Sequence, residues 1–287
     1  MDENRLGAAD HPDLIRQYVL EMLGCRQIRS TPTALEKALR SKYLTLTREQ
    51  IRSTINKMVI EGDIVYTNHF NTTHLELNFR KPLRVSRRVT LAPNSCTINQ
   101  SDDGQKRLVL KLHQGSAFGV GDHPTTRLCI QAVDLAMEML VMAAQPDGIK
   151  ALDIGTGTGI LAMAAAGLGA KSVLGIDIDP AAIYEAVENV RLNRLDHKIA
   201  ITQTPLESIE NQNFNLIMAN LRPPTLKDCL ADIERLSANE SYWVFSGSRA
   251  HELERVTAAL PAEKTSTFWK DNSCGWTVSI VYWHYQG

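Results

Sequence analysis

Long uninterrupted apolar runs are missing from this chain of 287 residues. The longest candidate, LCIQAVDLAMEMLVMAA (128–144), is broken by Asp134 and Glu138. It therefore reads as an amphipathic or buried helix, not as a span of about 20 uncharged residues. Cysteine is sparse: Cys25, Cys96, Cys129, Cys229 and Cys274 are odd in number, widely spaced and never in a Cys-x-x-Cys pair. That argues against a disulfide framework and against a zinc site, and for reduced thiols in a cytoplasmic protein. The start, MDENRLGAADHPD, lacks the basic residues and apolar stretch of a secretory leader, so none is expected. A dominant charge is also lacking, since the formal net charge is −1. With 44% apolar and 22% charged residues the composition excludes disordered and collagen-like classes. The charge is nevertheless unevenly spread: residues 1–90 carry 15 Lys and Arg against 10 Asp and Glu, so the front is basic and the remainder acidic.

The front reads as three helices and a hairpin. HPDLIRQYVLEMLG places Leu14, Ile15, Tyr18, Val19 and Met22 at helical spacing before Gly24, and TPTALEKALRSKY follows with Thr31 or Thr33 as cap. A third helix opens at Thr47 with a capping-box pattern, and DIVYTNHFNTTHLELNF then alternates about a turn-prone centre. This order resembles a winged helix-turn-helix domain over residues 1–80. Its third helix carries Arg48, Arg52 and Lys57, so contact with nucleic acid or a ribonucleoprotein is one expectation, and protein contact or a homodimer another. Five Lys or Arg fall in the nine residues from Arg80 to Arg88, and residues 81–114 are expected to be a basic linker and β-hairpin.

From residue 115 to 287 the pattern is α/β. Beginning at KALDIG, strand and helix alternate, which predicts a parallel sheet covered on both faces, with a closing antiparallel hairpin at one edge. The turn LDIGTGTG follows the first strand and opens a helix. Glycines at 155, 157 and 159 let a ligand approach the backbone and the helix N-terminal amides. A dinucleotide fingerprint would need a third glycine where Ile160 stands. The Gly-x-Gly-x-Gly form, with Asp153 just upstream and Thr156 inside it, is typical instead of S-adenosylmethionine sites. Asp177, followed by Ile178, ends the second strand 22 residues after Gly155, where a carboxylate can hold both ribose hydroxyls. Asn220 lies at the carboxyl end of the fourth strand, facing cofactor and acceptor, and is the candidate catalytic residue.

SAFGVGDHPTTRLC, LDIGTGTGILAMAAAGLGAKSVLGIDIDPAAI and IMANL resemble, in order and spacing, the ribosomal protein L11 methyltransferase family. The likeness runs from about Leu108 to the C-terminus. It implies a Rossmann-like seven-strand methyltransferase fold, S-adenosylmethionine as donor and methylation of lysine or N-terminal amino groups of a protein. The single histidine and aspartate of GSAFGVGDHPTT are too few for a metal cage, so no metal is expected. The likeness also implies cofactor contacts at Thr126, Gly155, Asp177 and Asn220, with Phe118 and Thr125 lining the same pocket. The chain departs from the family at Val120 and Asp122, in Leu-Arg-Pro-Pro after Asn220, and at the front, where the family has a small α+β substrate-binding module. Two other readings follow from those departures: a nucleic-acid or small-molecule methyltransferase, and a transcription regulator that senses S-adenosylmethionine.

Overall fold

The computed structural model describes residues 11–24, 30–69, 72–78, 81–96, 107–113, 123–145, 147–210 and 212–284. They fall into two compact units, Met1–Lys81 and Pro82–Gly287.

In the first unit, α1 (His11–Gly24), α2 (Pro32–Lys42) and α3 (Arg48–Glu61) precede the antiparallel strands β1 (Ile64–His69) and β2 (Thr72–Leu77). The Thr31 and Thr47 caps are those the sequence suggests. The Thr31 side chain accepts from Ala34 N, Thr47 and Gln50 form a capping box, and Gly62 stops α3 in a left-handed conformation at φ 74°. Ile15, Val19, Leu35, Leu39, Ile51, Ile55, Met58, Ile64 and Leu75 form its core. Ser30 adds a single bridge to Leu75, which the sequence did not announce. Two cations of α3 share one carboxylate: Arg48 Nε and Arg52 Nε reach the two oxygens of Glu36 at 3.0 and 3.1 Å. Lys57 stands 3.8 Å from Glu61.

The second unit begins with a small sheet where a basic linker and hairpin were expected. β3 (Leu83–Arg84) pairs antiparallel with β4 (Val89–Pro93), but β4 and β5 (Leu108–Leu112) are parallel. Val89, Leu91, Leu110 and Leu112 all face the core of this unit, and the open edge of β5 is satisfied by side chains in place of a strand. Asn193 accepts from Lys111 N at 2.8 Å and donates to Lys111 O at 2.7 Å, and Asn189 accepts from His113 N at 2.9 Å. The basic residues are anchors as well, Arg87 pairing with Glu138 and Arg88 with the buried Asp134.

The main sheet follows α4 (Pro124–Met142). Its elements are β6 (Lys150–Ile154), α5 (Ile160–Gly167), β7 (Ser172–Ile176), α6 (Pro180–Leu192), β8 (Ile199–Thr202), β9 (Phe214–Asn220) and α7 (Pro223–Leu236). β10 (Ser237–Ser248), α8 (Ala250–Thr257), β11 (Thr265–Ser273) and β12 (Trp276–His284) complete it. The seven strands lie in the order β11-β12-β10-β9-β6-β7-β8, parallel from β10 to β8, with β12 antiparallel to both neighbours. This is the seven-stranded α/β architecture expected. One face packs on α4 and α5 through Ile130, Val133, Met137, Met163 and Val244, and the other on α7 and α8 through Leu226, Ile233, Leu253 and Trp243. Chain order reverses beside β6, whose neighbours are β7 and β9, and open parallel sheets bind ligands in the crevice at such a reversal.

Cys96, Cys129 and Cys229 carry free thiols. Cys274 is disulfide-bonded, so the expectation of uniformly reduced thiols fails there. Among the described residues no helix is long and apolar enough to cross a membrane.

Candidate active site

A cleft of about 890 Å3 opens at the carboxyl ends of β6, β7, β8 and β9. Gly155, Gly157, Asp177 and Ile178 line one part, and Thr125, Asn220, Gly247 and Trp276 another.

The glycine turn needs its glycines. Gly155, Gly157 and Gly159 have φ of 68°, 55° and 79°, a region that costs other residues strain. A Cβ on Gly155 would come within 2.5 Å of Leu221 Cδ2. Behind the turn, Asp153 is 1% exposed and holds the loop to its helix. A single oxygen, Oδ2, accepts from Thr156 Oγ1 at 2.7 Å and from Ala162 N at 3.1 Å. Burial pushes its carboxyl up to about 6, further than those hydrogen bonds pull it down, and the nearby Asp177 charge adds to the rise.

Asp177 closes the turn from the next strand. Its Oδ2 accepts from Gly157 N at 2.9 Å and its Oδ1 from Asp179 N at 3.0 Å. Each oxygen has a further lone pair, and two acceptors on one carboxylate suit a vicinal diol. Thr204, Pro205 and Leu206, after β8, extend this wall. They stand at the end of a parallel strand, so the rule that pointed to Asn220 would have found them too.

The opposite wall is gathered from distant segments. His123 caps α4, with Nδ1 3.3 Å from Thr125 N and 2.7 Å from Thr125 Oγ1. Asn220 Nδ2 donates to Thr125 Oγ1 at 3.3 Å, while Asn220 Oδ1 is buried and accepts no hydrogen bond from the described residues. The His123 ring meets Trp276 edge-on with centroids 5.0 Å apart, and the Arg249 guanidinium stacks over the same indole at 4.5 Å. Gly247, in the bulged end of β10 at φ 92°, leaves no room for a side chain, since a Cβ would lie 2.3 Å from Leu221 O. Neither Trp276 nor Gly247 carried a motif in the sequence.

Of the predicted residues, Thr125, Gly155, Gly157, Asp177, Ile178 and Asn220 thus face one cleft. Asp153, Thr156 and Gly159 stand behind it as supports of the turn, and Thr126 is buried with its Oγ1 unpartnered among the described residues. Phe118, with Val120 and Asp122, lies outside the described residues. The donor set suits a nucleoside cofactor: glycine backbone for close approach, a carboxylate for a diol, and an orphaned carboxamide oxygen beyond it.

The family model for ribosomal protein L11 methyltransferase matches residues 42–279. The ribosomal protein L11 methyltransferase of Pelobacter propionicus is 37% identical over 203 residues, covering 70% of this chain and 63% of that protein. That of Exiguobacterium sibiricum is 33% identical over 189 residues, covering 66% of this chain and 56% of that protein. The matched part of the chain thus spans less than two thirds of either relative. Among solved structures, ribosomal protein L11 methylase of Lactobacillus delbrueckii subsp. bulgaricus superposes with a TM-score of 0.60 at 28% identity, over 71% of this chain and all of that one.

Proposed function

Since the chain belongs to the ribosomal protein L11 methyltransferase family, we propose that it methylates amino groups of a protein with S-adenosylmethionine as donor, and that ribosomal protein L11 is the acceptor. The observation that carries this reading is the Asn220 Oδ1 atom, buried and unpartnered on the wall facing Asp177 and the glycine turn.

Bound S-adenosylmethionine supplies an already activated methyl group on a sulfonium. The chain's own residues therefore need to align and to exclude water rather than to attack. Gly155, Gly157 and Asp177 hold the donor, the carboxylate taking the ribose hydroxyls. Asn220 Oδ1 accepts an N–H of the acceptor amine and turns its lone pair toward the methyl group. The amine must be neutral. A lysine begins near pKa 10.4, and burial beside a positive charge lowers it without a dedicated base. Trp276, His123 and Leu221 keep water from the reacting atoms.

The first unit, read as a winged helix, we assign to recognition of the acceptor. Glu36 and Glu61 already engage Arg48, Arg52 and Lys57, while Leu44 and Ile60 are 90% and 86% exposed. This favours a protein surface over a phosphate backbone as its partner.

Labelled methyl transfer from S-adenosylmethionine to purified L11, and to a lysate treated with protease or nuclease, tests the reading. Label on L11 that protease removes is expected. Label that nuclease removes would move the acceptor to nucleic acid, and cofactor binding without transfer to any fraction would favour a sensor.

A further inference from the structure

We propose that His123 and Thr125 are positioning residues that decide which end of the Asn220 carboxamide faces the acceptor. The inference rests on the amine-methylating reading above and adds how the site is oriented.

The relay starts from a group that can only donate. The backbone N–H of Thr125, in the first turn of α4, points at His123 Nδ1 at 3.3 Å. Nδ1 is therefore the accepting nitrogen, and the neutral ring carries its proton on Nε2. The Thr125 hydroxyl lies 2.7 Å from the same Nδ1 and must give its hydrogen to it. That leaves the Thr125 oxygen lone pairs for a donor, and Asn220 Nδ2 fills the place at 3.3 Å. With Nδ2 turned back, Oδ1 is the end left over, buried and without a partner among the described residues.

The reversed network has identifiable faults. A proton on Nδ1 would donate to Thr125, Thr125 would donate to Asn220 Oδ1, and the carboxamide NH2 would face the amine. Donor would then meet donor, and the Thr125 backbone N–H would lose its acceptor. A helix N-terminus thus sets the tautomer of His123, the histidine sets the Thr125 hydroxyl, and the hydroxyl sets a carboxamide 95 residues along the chain. Trp276, edge-on to the imidazole, hinders rotation of the ring out of this arrangement.

The test compares H123A, H123N, T125V and T125S in the full chain, with S-adenosylmethionine and L11 as substrates. H123A and T125V lose the relay, and kcat should fall about 10- to 100-fold, the range for misplacing a reacting group by about 1 Å. H123N keeps a side-chain acceptor at a cap position where asparagine is favoured, and T125S keeps the hydroxyl; both should recover to within about threefold of wild type. The S-adenosylmethionine Kd of H123A should stay within about twofold, because the histidine acts on the acceptor side. An H123N as impaired as H123A, or a Kd that weakens in step with kcat, would mark a merely structural histidine and overturn the proposal.

A second readout needs no acceptor. Long-range 1H–15N spectra of the cofactor-bound chain should show His123 with Nδ1 unprotonated and Nε2 protonated, and a protonated Nδ1 overturns the relay. If that tautomer is found but L11 is not methylated, the choice of acceptor falls and the relay stands.

Discussion

At the end of the cleft assigned to the cofactor, one run from Leu152 to Asp179 supplies the turn, its buried support and the carboxylate that closes it. The opposite end has no such run. It draws on His123 and Thr125 before the sheet, Asn220 and Leu221 after β9, Gly247 in β10 and Trp276 in β12. The cofactor end is held by hydrogen bonds within one strand-helix-strand unit, β6 to β7, and the acceptor end by contacts between segments far apart in the chain. Leu221 is where the two meet, since added side-chain carbons on Gly155 and on Gly247 would both strike it. A donor that never changes suits a compact, local motif, whereas an acceptor site assembled from dispersed segments can be altered at one segment without disturbing the donor.

The largest break in this comparison should come from Gly247→Ala. The new Cβ meets the Leu221 backbone, which cannot swing aside, at a φ of 92°. Strain and overpacking together should cost about 4 kcal/mol, seen as a Tm drop of roughly 10 °C, with transfer activity lost. Gly155→Ala meets only a movable leucine methyl and should cost about 1 to 2 kcal/mol, mostly from its left-handed backbone. Equal losses of stability in the two variants would contradict the distinction drawn at Leu221.

Next in size is Asp153. Its folded pKa of about 6 lies above the ordinary carboxyl value of about 3.9. The folded state therefore binds more protons than the unfolded one between those values, and stability falls as pH rises from about 4 to about 6, then levels off. Asp153→Asn replaces the single accepting oxygen without a charge. The variant should gain on the order of 3 kcal/mol relative to wild type between pH 4 and pH 7, measured by urea unfolding at each pH. Parallel curves for the two proteins would place the charged carboxylate in a better-solvated setting.

Asp177→Ala should follow. It removes the proposed ribose acceptor and two backbone hydrogen bonds of the loop. S-adenosylmethionine affinity should fall about 10- to 100-fold by calorimetry, as for loss of hydrogen bonds to a charged group. The acceptor KM should change far less; a matched rise in both would mean that the two ends do not act separately.

What the sequence disclosed follows the same division. Gly155, Gly157, Asp177 and Asn220 sit at strand ends in a regular strand-helix alternation, so their place in the fold could be read from their place in the chain. Thr204 to Leu206 were equally readable by that rule. Trp276 and Gly247 were not, because whether a residue at a hairpin start or a bulge faces the cleft depends on strand order and register. The parallel pairing of β4 with β5 was hidden for a related reason: two alternating segments look alike whether they run together or opposed, and asparagines more than 75 residues away complete the edge. The basic run before it does lie at the surface, where Arg87 and Arg88 also pair with acids on α4.

The smallest effect is predicted at the acceptor wall itself. Trp276 lies between the Arg249 guanidinium and the His123 ring, and both contacts use its aromatic character rather than its indole N–H. Trp276→Phe keeps a ring there and should weaken the cation contact by about 0.5 kcal/mol, since tryptophan binds cations best. That loss falls on the folded protein, so Tm should drop by only about 1 to 2 °C, with the acceptor KM and S-adenosylmethionine affinity little changed. Trp276→Ala should do more, because the His123 ring loses its edge-on neighbour and its orientation of Thr125 loosens. If Trp276→Phe instead abolished transfer while Tm and cofactor affinity held, the indole N–H would itself bind the acceptor. The acceptor end would then owe its selectivity to a hydrogen bond from β12 as well as to the carboxamide on β9.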